Sequence, residues 1–579
     1  MRGQARRAFV GVLLIVLLPA HAAVAQGSDV PGEVILLAID DATLADLLST
    51  PGFLALANLG GAGLVVMQGS GDVLTDLSDA AALSPVALAG RSLDWGSIAE
   101  EEEPSPRRLQ AAARELEARL DSSTAEVVLA VVVANPPSGA ASSGRLAGTI
   151  VAQGPPADLA DAMRAGPTGT PLATLTSDST HRVGVVTSMD LVESGLAIAG
   201  QGDAAFKDGS PVEVADVSPP LDLYDRYIQS KRLTVPIGTA AGLFVTFAGV
   251  LALAMLLWSG SPRWSRSLMA WVAISAPFLA LSLLLVGHLA SLTYATVIPF
   301  VVATTALGTL ALVPAARRRG TLVAVAVAGA ILLAALAVEA GMGWTAALTP
   351  LLGGSQLDGG RFFGLPNAFI GLLLGGSIYV AQRLPRTAGT ALIVATGLFA
   401  GLPWTGSNMG AAVTLFAAAG IWWGLRGRVG WLLTTSAALA STLAGSAIVV
   451  VAHRFLTSAP THITRFSERT GGVVGLWDKL VERLRVGTDL IAANPFALVP
   501  VIGVLVTLVV VLRPPPSVRV TFEEAPVWRD ALLAIVLGSV VAYLVNDSGA
   551  AAIGEGFTTS LGALLFVSLL RRNDIMGEA

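Results

Sequence analysis

Four polar stretches interrupt the apolar second half of the chain, and their side chains are of types that bind phosphate or move protons. They are residues 359–367 (GGRFFGLPN), 403–410 (PWTGSNMG), 461–472 (THITRFSERTGG) and 545–556 (VNDSGAAAIGEG). Arginine suits phosphate because its planar guanidinium donates two parallel hydrogen bonds, and histidine or a carboxylate can act as a base. The glycines allow close approach of the backbone.

The four stretches predict a shared site, because ionisable groups at a membrane boundary are costly unless they are paired or solvated. The alternative is that these residues are ordinary turn formers that only connect helices. We favour the shared site because the distribution of arginines, described below, places all four stretches on the same side of the membrane. The candidate substrate-binding residues are Asp358, Arg361, Asn367, Asn408, His462, Arg465, Arg469, Asn546, Asp547 and Glu555.

The composition indicates a membrane protein. Of 579 residues, 53% are hydrophobic and 13% are charged, whereas soluble chains carry about 25% charged residues. The chain has no cysteine, which excludes disulfides, thiol nucleophiles and thiolate metal sites. A net charge of −5 gives no sign of nucleic-acid binding.

The N-terminal region predicts an exported domain. Residues 1–25 have a positive start, a short apolar run and an Ala-Val-Ala cleavage site, as signal peptides do; an uncleaved first membrane helix is the alternative. Residues 26–233 alternate short apolar runs with turn residues, and strands are expected at 33–40, 61–68, 125–135 and 144–153. With a helix expected at 105–123, the pattern predicts an extracytoplasmic α/β domain.

Residues 234–579 predict a polytopic α-helical membrane domain of about 11 spans. The apolar runs are 235–258, 268–288, 292–314, 321–341, 364–382, 387–404, 409–425, 429–452, 494–512, 530–546 and 552–570, several of them marginal in length. Arginines fall in alternate short loops, which is the positive-inside pattern. It predicts a cytoplasmic (inner) membrane protein with an outward N-terminal domain and a cytoplasmic C-terminus.

The outward loop at 453–493 breaks this pattern because it is basic. Within it, residues 473–484 place apolar side chains on one helical face and charges on the other, as in a helix lying in the membrane interface. The alternative is a solvated loop that only connects two spans and whose charges have no function. A basic amphipathic loop is placed to meet lipid phosphates.

The stretches GGRFFGLPNAFIGLLLGG, GSN, THITRFSERTGG and LVNDSGAA resemble a bacterial family of multi-pass membrane proteins with an extracytoplasmic alkaline-phosphatase-like region. The resemblance covers most of residues 30–570 and implies an architecture more than an activity. It also implies that Asp40, after the first strand, matches a metal-binding aspartate. A two-metal site needs several Asp and His ligands, yet residues 26–233 hold one histidine, His181. We therefore expect a degenerate, non-catalytic domain with Asp40 vestigial and no cofactor.

A second similarity is to O-antigen ligase and polymerase membrane enzymes, through GRFFGLPNAF, GSNMGAAVTLF and IAANPFALVPVIG. It implies that Arg361, Arg465 and Arg469 grip a diphosphate, with His462 or Asp547 as base.

The sequence thus predicts a cell-envelope protein that binds or processes an anionic, lipid-linked phosphate or glycan substrate, such as a polyprenyl-phosphate-linked one. Its expected partners are membrane lipids and other envelope proteins, not nucleic acid. The alternatives are a transporter or flippase of envelope lipids, an O-antigen-ligase-like glycosyltransferase, an active phosphotransferase and a scaffold. No catalytic residue is assigned.

Overall fold

The structure is a computed structural model that describes most of the chain. The described residues are 32–39, 44–59, 61–66, 93–98, 106–123, 127–134, 146–167, 174–176, 185–187, 194, 212–215, 221–258, 260–352, 355–358, 363–457, 463, 481, 484, 485, 488, 498–546 and 550–578. The predicted signal peptide and nearly all of the predicted amphipathic helix lie outside them.

Eight strands form one mixed sheet in the described part of the N-terminal region. They are β1 Gly32–Ile39, β2 Gly61–Val66, β3 Leu93–Ile98, β4 Val127–Ala134, β5 Leu146–Gly154, β6 Thr174–Thr176, β7 Val185–Thr187 and β8 Glu213–Ala215. Their order is β3-β1-β4-β5-β2-β6-β8, with β7 also paired to β2. β1 pairs in parallel with β3 and β4, whereas β5 is antiparallel to β4 and β2. The four predicted strands are therefore present.

Helices α1 Leu44–Ser49, α2 Pro51–Leu59, α3 Pro106–Ser122 and α4 Pro156–Ala165 accompany this sheet. The amphipathic α3, predicted at 105–123, buries Leu109, Leu116 and Leu120 in a core shared with β4 and β5. Its charged face meets Arg164 of α4, which pairs with Glu117, Asp121 and Asp161. The hydrogen bonds that Arg164 donates to Asp121, and then to Glu117, raise the pKa of the guanidinium above its ordinary value. The assignment of the N-terminal region as an alkaline-phosphatase-like domain stays a prediction.

Thirteen further helices follow in the described part of residues 221–578. They are α5 Leu221–Leu257, α6 Arg263–Leu285, α7 Tyr294–Leu310, α8 Val313–Arg319, α9 Thr321–Gly341, α10 Ile370–Ala381, α11 Arg386–Gly401, α12 Met409–Arg426, α13 Trp431–Phe455, α14 Leu498–Leu512, α15 Pro516–Glu524, α16 Pro526–Val545 and α17 Ala550–Glu578. Each of the eleven predicted apolar runs coincides with one of these helices.

Seven helical segments in the described part of the chain are long and apolar enough to cross a membrane. They are Asp225–Leu257, Arg263–His288, Tyr294–Arg319, Thr321–Gly341, Met409–Arg426, Trp431–Phe455 and Pro526–Val545. Three shorter apolar helices accompany them, at Asn367–Ala381, Leu498–Leu512 and Thr558–Arg571. The chain is therefore a helical membrane protein, and the count of 11 spans stays a prediction.

Small residues let the helices pack closely where α12 meets α13. A methyl group on Gly420 of α12 would lie 2.6 Å from the carbonyl carbon of Ala437 on α13. Close backbone contact of this kind is how helices associate in lipid, where burial of apolar surface gives little driving force.

Helices α10, α11, α12 and α16 run between the same two ends of the helical region. The candidate sites lie at these two ends. Asn367 precedes α10 and Asn408 precedes α12, while α11 ends at Gly401 and α16 ends at Val545. The opposite ends of these helices carry the arginines. α12 has 18 residues, so its two ends are about 27 Å apart at 1.5 Å per residue.

Candidate functional site

The site is built around Asn408, the residue before α12. Its Oδ1 accepts a hydrogen bond from the backbone N–H of Ala411 at 2.9 Å, and its side chain is fully buried. Asparagine favours this N-cap position because its side chain satisfies an N–H that the helix leaves without a partner. Helix capping therefore explains why an asparagine stands at the beginning of this apolar helix.

Asn408 also joins the loop before α10 to α12. Its Nδ2 donates to the carbonyl oxygen of Leu365 at 2.8 Å and to Oδ1 of Asn367 at 3.0 Å. The oxygen and both hydrogens of this amide are thus bonded to the protein. Two of the four polar stretches predicted to converge are held together by this one side chain.

Backbone contacts hold the same two stretches at their glycines. Gly364 has φ +98°, a conformation that suits glycine, and the N–H of Leu365 donates to the carbonyl oxygen of Gly406 at 2.7 Å. A methyl group on Gly364 would lie 2.7 Å from the carbonyl carbon of Gly406. Any larger residue at Gly364 would therefore separate the stretches.

Gln356 attaches a short helical turn, Gln356–Asp358, to this point. Its Nε2 donates to the carbonyl oxygen of Gly364 at 2.6 Å, and Gln356 is buried. The backbone at Asp358 is part of this turn, and its side chain is not described. Arg361 lies outside the described residues, three positions before Gly364 in the chain.

Asn546 brings the fourth polar stretch to the beginning of α12. It follows α16, is 2% exposed, and donates from Nδ2 to the carbonyl oxygen of Ala542 at 2.8 Å. A methyl group on Gly410 would lie 2.7 Å from Cγ of Asn546. Gly410 therefore provides the space that the amide occupies.

The third stretch reaches the same helix through Ile463. Ile463 is 2% exposed and packs with Ala412, Phe416 and Val449. This contact places Ile463 against the first turns of α12. Nearby, Nε2 of His453 lies 2.9 Å from the carbonyl oxygen of Gly401.

We call this region the amide junction. Its members are Gly364, Leu365, Asn367, Gly406, Asn408, Gly410, Asn546 and the adjoining Ile463. Its amides bond to each other and to the backbone, which gives Asn408 and Asn546 a role in holding the fold. Substrate contact by either amide stays a prediction.

Several of the predicted site residues are not described. His462, Arg465, Arg469, Asp547 and Asp40 lie outside the described residues, as Arg361 does, and Glu555 is on α17 without a described side chain. The described ranges hold no group of three or more His, Asp or Glu residues able to bind a metal ion.

A histidine–carboxylate pair that the sequence did not predict lies beside the junction. Nε2 of His288 is 2.7 Å from Oε2 of Glu339, and Oε1 of Glu339 accepts from the N–H of Ala346 at 2.6 Å. Glu339 is 1% exposed and the His288 side chain is 31% exposed. Such a pair can hold an imidazole in one orientation and exchange a proton with a bound group.

The loop after α9 connects this pair to the junction. Trp344, which is fully buried with φ +61°, donates from its indole N–H to the carbonyl oxygen of Thr405. Its backbone N–H donates to the carbonyl oxygen of Glu339 at 2.9 Å. The signal in the sequence was a lone histidine and a lone glutamate at the ends of two apolar runs, and only the fold shows that these ends meet.

The opposite ends of the four helices form a second polar region, which we call the basic end. Its members are Gln382, Arg386, Trp422, Trp423, Arg426, Arg428, Trp528 and Asp530. Arg386 donates from Nε to the carbonyl oxygen of Trp423 at 2.9 Å, and its guanidinium carbon lies 3.9 Å from the centroid of that indole. The sequence predicted these arginines only as markers of the cytoplasmic side.

Comparisons with known proteins assign neither region. No protein-family model, no curated protein and no solved structure matches the chain.

Proposed function

We propose that this protein is an integral membrane protein of the cell envelope that binds an anionic, lipid-linked substrate beside the amide junction. The observation that carries the proposal is that described residues of all four polar stretches meet around the first turns of α12. The contacts are Asn408 with Asn367, Gly410 with Asn546, and Ala412 with Ile463.

The charge that would hold the substrate comes from residues next to these contacts in the chain. Arg465 follows Ile463 by two positions, and Arg361 precedes Gly364 by three. A guanidinium binds a phosphate through two parallel hydrogen bonds. The junction supplies a rigid frame and the arginines supply the binding energy, so a polyprenyl phosphate is the substrate class that fits best.

The proposal includes the finer topology. Eleven spans are supported by the helices α10, α11, α14 and α17, which coincide with the predicted runs that complete the count. The cytoplasmic membrane, with the amide junction outward, is supported by the arginines of the short loops on the opposite side. The N-terminal sheet would then be an exported recognition module of the alkaline-phosphatase-like kind, without catalysis of its own.

Binding of a polyprenyl phosphate to the purified full-length protein tests the proposal. Removing one guanidinium–phosphate contact costs about 1.5–3 kcal/mol, so Arg361→Ala and Arg465→Ala should each weaken binding about tenfold or more. Arg318→Ala is the matched control, because Arg318 is an exposed arginine of α8 on the opposite side of the predicted membrane. Equal affinity for the phosphate and the neutral polyprenol, or unchanged affinity in both variants, would refute the proposal.

A second candidate function, glycan transfer from the lipid carrier, is favoured by the His288–Glu339 pair. In this reaction an acceptor hydroxyl attacks the anomeric carbon and its proton passes to the imidazole. The bond from the anomeric carbon to the diphosphate oxygen breaks, and the diphosphate leaves with the electron pair. His288→Gln should then abolish transfer while polyprenyl phosphate binding is retained; transfer at the wild-type rate would exclude this role.

A further inference from the structure

The basic end contains buried polar atoms that have no hydrogen-bond partner among the residues that the structure describes. The donors are Nε2 of Gln382, Nη2 of Arg386, Nε1 of Trp422, Nε of Arg426 and Nε1 of Trp528, and the acceptor is Oδ2 of Asp530. Both indoles are fully buried, and Gln382 and Asp530 are each 7% exposed. Buried polar groups almost always have a partner, so a concentration of such atoms requires an explanation.

These atoms come from four helices that pack against each other. Gln382 follows α10, Arg386 begins α11, Trp422 and Arg426 lie one turn apart at the end of α12, and Asp530 lies in the second turn of α16. Trp422 and Trp528 belong to the same hydrophobic core. The fold therefore assembles the group from distant parts of the sequence.

Neighbouring aromatic rings fix the positions of the side chains. The guanidinium carbon of Arg386 lies 3.9 Å from the ring centroid of Trp423, and its Nη2 has no hydrogen-bond partner among the described residues. The guanidinium carbon of Arg426 lies 5.6 Å from the ring centroid of Trp422, and the rings of Trp528 and Tyr379 are 6.5 Å apart. Side chains held in this way lose little conformational freedom when a ligand binds.

The charges of the group favour an anion. The one carboxylate of the group, Asp530, interacts electrostatically with Arg428, Arg426 and Arg529, and Arg386 adds a further positive charge at the beginning of α11. The unpartnered donors outnumber the single unpartnered acceptor by five to one. A ligand that satisfies such a set needs several acceptor oxygens and one hydrogen-bond donor.

We propose that the basic end binds a phosphate ester whose head group carries an N–H or O–H donor. The phosphate oxygens accept from Arg386, Arg426 and the two indole N–H groups, and the ammonium or hydroxyl of the head group donates to Asp530. The site lies at the opposite end of α12 from the amide junction and is independent of the function proposed there. The ester is either a membrane phospholipid or a soluble compound.

Two phospholipids with the same phosphate separate the contributions. Phosphatidylethanolamine carries an ammonium with N–H donors, whereas phosphatidylcholine carries a trimethylammonium that has none. With the delipidated full-length protein in detergent, native mass spectrometry should show about tenfold tighter binding of phosphatidylethanolamine. Asp530→Asn should bring the two affinities close together, because the carboxylate is the group that distinguishes the head groups.

Trp422→Phe tests the phosphate contact without loss of the aromatic ring. It removes one donor that has no partner among the described residues. The ligand-free protein should therefore remain folded with the same or a higher Tm, while phosphatidylethanolamine binding weakens several-fold. Arg383→Gln is the matched control, because Arg383 is an exposed arginine three positions before Arg386. It should bind as the wild type does.

The outcomes are distinct. A preference for phosphatidylethanolamine that Trp422→Phe and Asp530→Asn reduce and Arg383→Gln retains would establish the site. Soluble phosphoethanolamine that raises Tm as much as the lipid, with the same dependence on these residues, would also establish it and assign it to a soluble ester. Equal binding of both lipids by the wild type and all variants would overturn the proposal.

Discussion

The two ends of α12 treat their buried polar atoms in opposite ways. At the amide junction, the oxygen and both hydrogens of the Asn408 side chain are bonded to the protein. At the basic end, the indole N–H of Trp422 has no partner among the described residues. Both residues are fully buried, so exposure does not account for the difference.

The difference indicates two roles for buried polar groups. The amide of Asn408 stabilises the fold, whereas the indole N–H of Trp422 is available to bind a ligand. A bonded buried amide contributes to stability, and its loss leaves other groups unsatisfied. An unpartnered buried donor reduces stability until something binds it. Substitutions at the amide junction should therefore lower stability, and removal of a donor at the basic end should not.

The largest expected effect is at Gly364. Gly364→Ala combines a positive φ with a methyl group pressed against the Gly406 carbonyl, so it should cost about 3 kcal/mol or more of unfolding free energy. Gly320→Ala is the control, since Gly320 has φ +87° and an added methyl would meet nothing within 4 Å. Thermal unfolding of both variants in detergent checks the difference. Equal losses would show that the contact with Gly406 does not matter.

The next effect in size is at Asn408. Asn408→Ala removes the helix cap and the two bonds to the loop before α10, which should cost about 2–3 kcal/mol. Asn408→Ser keeps a capping oxygen and should recover about 1 kcal/mol of that loss. Chemical denaturation of the two variants measures the cap and the bridge separately. If the serine variant were no more stable than the alanine variant, Asn408 would not act as a cap.

The sequence predicted the elements of the fold better than the contacts between them. The apolar runs predicted the helices because length and hydrophobicity are local properties. An asparagine before an apolar run is likewise a local signal for a helix start. β1, β2, β4, β5 and α3 were recognised in the same way, from short runs of Val, Ile and Leu and from the spacing of apolar residues.

The sidedness of the loops predicted that the four polar stretches share one side of the membrane, but individual side-chain contacts between distant residues could not be predicted from local patterns. Nothing near His288 indicates that Glu339, 51 residues later, becomes its partner. The arginines of the short loops follow the positive-inside pattern, which by itself accounts for their positions. A second function of these arginines could therefore not be predicted from the sequence. That Trp422, Trp528 and Asp530 lie beside them depends on how α12 and α16 pack.

The smallest predicted effect compares two buried tryptophans directly. Trp344→Phe and Trp422→Phe remove the same atoms from fully buried rings. The indole of Trp344 donates to the carbonyl oxygen of Thr405, whereas that of Trp422 has no partner among the described residues. Trp344→Phe should therefore be less stable than Trp422→Phe by about 1 kcal/mol, the net value of one hydrogen bond. Trp431→Phe is the control for the effect of a tryptophan-to-phenylalanine change, because Trp431 is 75% exposed. Thermal unfolding without added phosphate ester measures all three, and an equal loss at Trp344 and Trp422 would mean that the two ends of α12 do not differ.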